Sequence, residues 1–196
     1  MEGISVVGCG RWGTFLAWYA ATHCGIPAVL YGRSSSPDFI ELRDTGRNRY
    51  LSLPRGVSMT DDLDAALGND TIVVSIGSQN LRGFCREVAG RSLPGRGGLA
   101  GKTFLLAMKG LETPSAKVLS QVFREELGET PRLAILAGPG HVQDYVREIP
   151  SCAVVDSDDA KVKEGLAGSL SSRLIRFYIG GDFVGNQVGA ALKNVV

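Results

Sequence analysis

Along the chain, short apolar runs alternate with longer stretches of mixed polarity, and the rhythm repeats from one end to the other. Several runs are four or five continuous apolar or β-branched residues, the pattern of strands buried on both faces. The pattern predicts strands at Ile4–Val7, Ala28–Tyr31, Val57–Thr60, Thr71–Ser75, Thr103–Ala107, Leu133–Ala137, Cys152–Val155 and Ile175–Ile179. Helices are expected between and after them, at Trp12–His23, Pro37–Asp44, Asp62–Leu67, Leu81–Ala89, Ser115–Leu127, Val142–Arg147, Ala160–Ser171 and Phe183–Val196. Regular alternation of strand and helix implies an α/β protein with a mostly parallel sheet, right-handed crossovers and helices on both faces. No internal repeat is visible, and the Gly-, Arg- and Pro-rich stretch Gly90 to Gly101 reads as a surface loop.

The first strand and helix flank Gly8-Cys9-Gly10-Arg11-Trp12-Gly13, a G-x-G-x-x-G turn. The first glycine permits the sharp turn, the second lets backbone approach a pyrophosphate, and the third allows close helix–strand packing. A helix N-terminus at this point presents free N–H groups and a partial positive charge. With 26 glycines in 196 residues such a match arises by chance; its place between a strand and a helix makes it informative. It points to a dinucleotide site on a Rossmann-type, doubly wound sheet in three αβα layers, against the alternative of a tight turn that binds nothing.

Composition narrows the class. A length of 196 residues suits one large domain, or one domain and part of a second. A net charge of +1 gives no electrostatic case for nucleic acid or a membrane surface as partner. Cys9, Cys24, Cys85 and Cys152 show no C-x-x-C spacing, which argues for reduced thiols in the cytoplasm rather than a disulfide framework or a zinc site. With only His23 and His141, a histidine-based metal site is not expected. No stretch reads as a signal peptide or a membrane span.

The end of the second strand, Tyr31-Gly32-Arg33-Ser34-Ser35-Ser36, is informative for what it lacks. An acid here normally holds the adenosine ribose 2′-OH of NAD; none occurs before Asp38. Arg33 and Ser34 suit a 2′-phosphate instead, as in NADP. The plainer alternative is a solvated arginine in a polar turn.

Three further stretches are Asn48-Arg49-Tyr50-Leu51, Ala107-Met108-Lys109-Gly110-Leu111-Glu112 and Gly189-Ala190-Ala191-Leu192-Lys193-Asn194-Val195. Together with the opening turn, in this order, they make the chain resemble the NAD(P)-dependent glycerol-3-phosphate dehydrogenase family. The resemblance implies a cofactor, NADP or NAD, held by Gly8, Gly10, Arg11, Trp12 and Gly13 at the turn, by Arg33, Ser34 and Tyr50 toward the adenosine end, and by Lys109 and Val142. It implies a small phosphorylated substrate, dihydroxyacetone phosphate or glycerol 3-phosphate, met by Lys109, Gly138, Gly140, Lys193 and Asn194, with Lys193 and Lys109 catalytic. It also implies a cytoplasmic enzyme and leaves a homodimer open. Gly140 stands where the family has a hydroxyl residue, Val142 where it has Ala, and Asn186-Gln187 where Val-Glu is more usual. By the same resemblance, residues 1–181 form the cofactor-binding domain, and 182–196 begin a helix leading into a helical substrate domain beyond this chain.

Ketone reduction with a nicotinamide needs a proton donor at the carbonyl oxygen and positive charge for an anionic substrate. Lys193 can donate the proton, and Lys109 nearby is expected to lower its pKa, because two adjacent ammonium groups disfavour double charging. Taken alone, each lysine also reads as an ordinary surface residue, His141 as a loop histidine and Trp12 as a core aromatic. Other two-domain reductases, such as ketopantoate reductase, and a non-catalytic nucleotide-binding module remain as alternative readings.

Overall fold

The computed structural model describes residues 1–92 and 98–193. Its strands are β1 (Ile4–Val7), β2 (Ala28–Tyr31), β3 (Val57–Thr60), β4 (Thr71–Val74), β5 (Thr103–Leu106), β6 (Arg132–Ala137), β7 (Ser151–Asp156) and β8 (Ile175–Ile179). They form one sheet in the order β3-β2-β1-β4-β5-β6-β7-β8. The helices are α1 (Arg11–His23), α2 (Pro37–Thr45), α3 (Leu63–Ala66), α4 (Leu81–Ala89), α5 (Leu119–Leu127), α6 (Val142–Val146), α7 (Ala160–Leu170) and α8 (Phe183–Leu192).

The two-residue period of the strands sorts the core into two layers. Ile4, Val6, Val73, Leu105, Ala134 and Leu136 belong to one buried cluster. Their neighbours Val7, Ile72, Val74, Phe104, Leu106, Leu133 and Ile135 belong to the other. Continuous apolar runs are therefore needed, since both faces of the central strands are covered. The first cluster is closed by Phe15, Leu16 and Tyr19 of α1, and the second by Leu81 and Phe84 of α4 with Phe123 of α5. Within the expected helix Trp12–His23, Phe15, Leu16, Ala17, Tyr19 and Ala20 lie inside.

β1 to β6 are parallel. β7 runs antiparallel to β6, and β8 parallel to β7. Residues 138–150, with the short helix α6 among them, join β6 to β7, and β7 pairs directly beside β6 in the opposite direction.

One expected helix is shorter than its composition suggests. Ser115–Leu127 is helical only from Leu119. Glu112 captures the preceding residues: its N–H donates to Lys117 O at 2.9 Å, Ala116 N–H donates to its carbonyl at 2.8 Å, and Ser115 Oγ donates to its carboxylate at 2.6 Å. Ala116 takes φ +57°, outside the helical region. Other boundaries shift by a residue or two, and positions 194–196 at the end of the last expected helix lie outside the described residues.

Candidate functional site

The strand order reverses between β1 and β4, and the loops after β1, β4, β5 and β6 share the carboxyl edge of the sheet. In open α/β sheets ligands bind at this place. The glycine turn forms its floor. Gly8 has φ +110°, and a Cβ there would lie 2.2 Å from Ser75 O; a Cβ on Gly13 would lie 1.9 Å from Gly8 O. Thr14 Oγ1 donates to Cys9 O at 2.8 Å and closes the turn. At Gly10 the situation differs, because a Cβ would meet only Asp38 Oδ2, at 3.7 Å. The backbone is packed tight beneath and left open above, as the close approach of a pyrophosphate requires.

α1 starts at this opening. Gly10, its N-cap, supplies no side-chain cap, and the first turn carries no acid. Its first N–H groups and the positive end of its dipole are thus left for an anion. A cleft of about 420 Å³ runs from the turn past Gly32, Arg33, Asp38 and Ser75 to Phe84 of α4. Arg33 and Ser34 are exposed, Arg33 at the cleft wall. Arg11, also exposed, sets its guanidinium 5.9 Å from the Tyr50 ring centroid, with Arg49 at 5.8 Å on the same ring. Asn48 Oδ1 accepts from the N–H groups of Tyr50 and Leu51, at 2.9 and 3.1 Å, and so shapes the segment that carries Tyr50 to the turn. Trp12 is half-buried and stacks on Phe15 at 5.2 Å and against Tyr145 at 6.2 Å. Val142 is fully buried in the same cluster.

A second group of residues meets beyond β5 and β6. Lys109 Nζ donates to Gly138 O at 2.5 Å, and Lys193 Nζ to Pro139 O at 3.0 Å. Gly140 has φ +70°, and a Cβ there would stand 3.7 Å from Lys109 Nζ. Burial, and after it the charge of Lys193, hold Lys109 below the ordinary lysine pKa of 10.5. Lys109, Gly110, Gln187 and Ala190 line one small hollow, which brings α8 against the loop after β5. His141 is exposed at the N-cap of α6 and caps nothing with its side chain. Asn194 lies outside the described residues.

A larger open groove of about 930 Å³ lies at the opposite edge, between Asn69, Asp70, Thr103, Arg132 and Lys161. None of the residues singled out from the sequence lines it. Among the described residues no helix is long and apolar enough to cross a membrane.

Residues 3–163 match the family described as the NAD-dependent glycerol-3-phosphate dehydrogenase N-terminus. The chain belongs to this family. It is 36% identical over 198 residues to a glycerol-3-phosphate dehydrogenase [NAD(P)+] of Xanthomonas euvesicatoria pv. vesicatoria, with 98% of this chain and 56% of that protein covered. A namesake from Thermoanaerobacter sp. is 32% identical over 199 residues, covering 98% of this chain and 57% of that one. The crystal structure of glycerol-3-phosphate dehydrogenase from Coxiella burnetii shares the fold, with a TM-score of 0.87 at 23% identity over 99% of this chain and 58% of that one. The chain spans somewhat over half the length of these relatives.

Within this chain, three placements escaped sequence reasoning. Gln187 is buried; its Oε1 accepts from Ser120 N–H, and its Nε2 donates to Ser120 Oγ and Phe183 O, all at 2.9 Å. Buried Asp156 accepts from Asn186 Nδ2 at 2.8 Å and from Lys163 Nζ at 3.1 Å. Together they fix α8, and with it Lys193, to α5 and β7. Asp38, the third, borders the opening over Gly10. The signals were present but weak: adjacent polar residues in an apolar helix, and the first acid after β2.

Proposed function

We propose that this chain is the cofactor-binding part of an NAD(P)-dependent glycerol-3-phosphate dehydrogenase, an oxidoreductase that interconverts dihydroxyacetone phosphate and sn-glycerol 3-phosphate. The observation that carries the reading is the pair of lysines on Gly138 O and Pro139 O, on the same sheet edge as the glycine turn. Gly8, Gly10, Arg11, Trp12 and Gly13 hold the pyrophosphate region, Arg33, Ser34 and Tyr50 the adenosine end, and Lys109 the nicotinamide side, while Val142 stays buried in the core. The open space above Gly10 and the uncapped α1 terminus fit such a group. A bound dinucleotide supplies the hydride.

The remaining chemistry belongs to the side chains. Lys193 Nζ gives a proton to the carbonyl oxygen and is left as a neutral amine. Lys109 offers positive charge to the oxygen as it becomes an alkoxide and to the substrate phosphate. Gly138 and Gly140 flank the substrate. Residues 1–181 form the cofactor-binding unit, and the segment from 182 leads into the part that the longer relatives possess. Val184 and Leu192 of α8 are 53% and 49% exposed, consistent with a helix that packs on more protein.

The test is fluorescence titration of the 196-residue chain with NADPH and NADH, followed by NADPH oxidation with dihydroxyacetone phosphate. Binding of a dinucleotide is expected, with turnover far below that of an intact relative and its residue removed by Lys193→Ala. Failure of the folded chain to bind either dinucleotide overturns the reading.

A further inference from the structure

We propose that Asp38 is a specificity-determining residue: its carboxylate accepts hydrogen bonds from the hydroxyls of an unphosphorylated adenosine ribose, so that the chain takes NAD(H) through Asp38 and NADP(H) through Arg33. The inference rests on the dinucleotide reading above and adds a second, opposite determinant to it.

The end of β2 is closed to the acid that usually does this work. A Cβ on Gly32 would lie 2.4 Å from Cys9 Sγ and 2.6 Å from Phe39 Cδ2. Cys9 and Phe39 are both buried, so neither yields. No side chain fits directly after the strand, and a carboxylate has to come from another element. Asp38 supplies one from the first turn of α2. Its neighbour Phe39 is the plug against Gly32, and with buried Leu42 it pins α2 to the core.

The carboxylate is placed and free. Asp38 lines the same cleft as Gly8, Gly10, Gly32 and Arg33. Its Oδ2 is the sole heavy atom within 4 Å of a Cβ built on Gly10, beyond that glycine and its chain neighbours, so it borders the open space over the turn. Three other acids at helix starts are spent on caps: Asp62 on Asp64 N–H, Asp159 on Lys161 N–H and Asp182 on Gly185 N–H. Among the described residues Asp38 makes neither an ion pair nor a side-chain hydrogen bond; its neighbour along the wall, Arg33, makes none either. Two opposite, unpaired charges on one cleft wall give a ribose hydroxyl an acceptor and a 2′-phosphate a guanidinium. The same carboxylate repels the 2′-phosphate, and the two residues pull cofactor choice in opposite directions.

Dissociation constants for NADH and NADPH, measured on the 196-residue chain by calorimetry, decide the matter. Asp38→Ala is expected to weaken NADH about tenfold or more, as for loss of a charge-assisted hydrogen bond, and to leave NADPH unchanged or tighter. Arg33→Ala is expected to do the reverse. Loss of α2 structure would weaken both cofactors together and leave their ratio unmoved. An Asp38→Ala chain whose NADH-to-NADPH ratio equals that of the wild type overturns the proposal and leaves the dinucleotide reading standing. A wild-type chain that binds neither overturns both.

Discussion

Lys109 and Lys193, 84 positions apart in the sequence, are tied to consecutive carbonyls of one loop, Gly138 O and Pro139 O. Neither ammonium has an acid partner within 4 Å among the described residues. The two cations are held by neutral dipoles, which leaves their charge available to an anion.

The pair makes a titration prediction. Lys109 lies below 10.5 chiefly through burial and then through Lys193. Lys193→Met is expected to raise its pKa part of the way back, since burial persists; side-chain NMR of labelled lysine reads this directly. An unmoved Lys109 would show that the two charges do not sense each other. The linkage sign follows: the folded state releases the Lys109 proton first, so the unfolded state binds more protons in that window. Stability should rise with pH between the folded pKa of Lys109 and 10.5. That slope should be smaller in Lys109→Met.

The glycine turn separates packing from binding. Gly13→Ala forces a methyl against Gly8 O, where an ideal Cβ would lie at 1.9 Å. Urea melts should show a loss of about 1–3 kcal/mol or more. Gly10→Ala meets nothing nearer than 3.7 Å and should melt close to wild type while weakening dinucleotide binding. Equal stabilities for the two variants would contradict the packing described for α1.

Gln187 offers a test of how α8 is held. Gln187→Ala leaves Ser120 N–H without its side-chain acceptor in a buried position. A cost of about 1–3 kcal/mol is expected, with faster hydrogen exchange at the start of α5. Wild-type exchange at Ser120 would mean that α5 does not depend on this amide.

Acid stability should report Glu112. Arg82 above all, and Ser115 after it, hold its carboxyl down to about 2, below the ordinary 4.5. Its stabilisation is therefore complete above about 4.5 and is lost as pH falls toward 2. Glu112→Gln should flatten that limb of the stability curve and loosen the loop from Lys109 to Val118. An unchanged acid limb would assign the pH dependence to Glu125 and Glu126, which share Arg82.

The sequence by itself determined the central strands, because burial on both faces keeps runs such as Thr71–Val74 or Thr103–Leu106 almost wholly apolar. It also determined the glycine turn, whose spacing is a local steric requirement. The start of α5 was not legible: Ser115–Val118 has a helical composition, and only Glu112, itself drawn to Arg82 at 2.6 Å, pulls it into a loop. The reversal of β7 was not legible either, because the alternation of strand and helix around it looks like the rest of the chain and only its pairing with β6 shows the direction. The lowered pKa of Lys109 depended on the fold burying it. The role offered to Asp38 depended on Cys9 and Phe39 closing the end of β2. Periodicity and turn sterics are properties of neighbouring residues and can be read along the chain. Burial, charge pairing and space are set by residues far apart in it, and exist only once the sheet has brought them together.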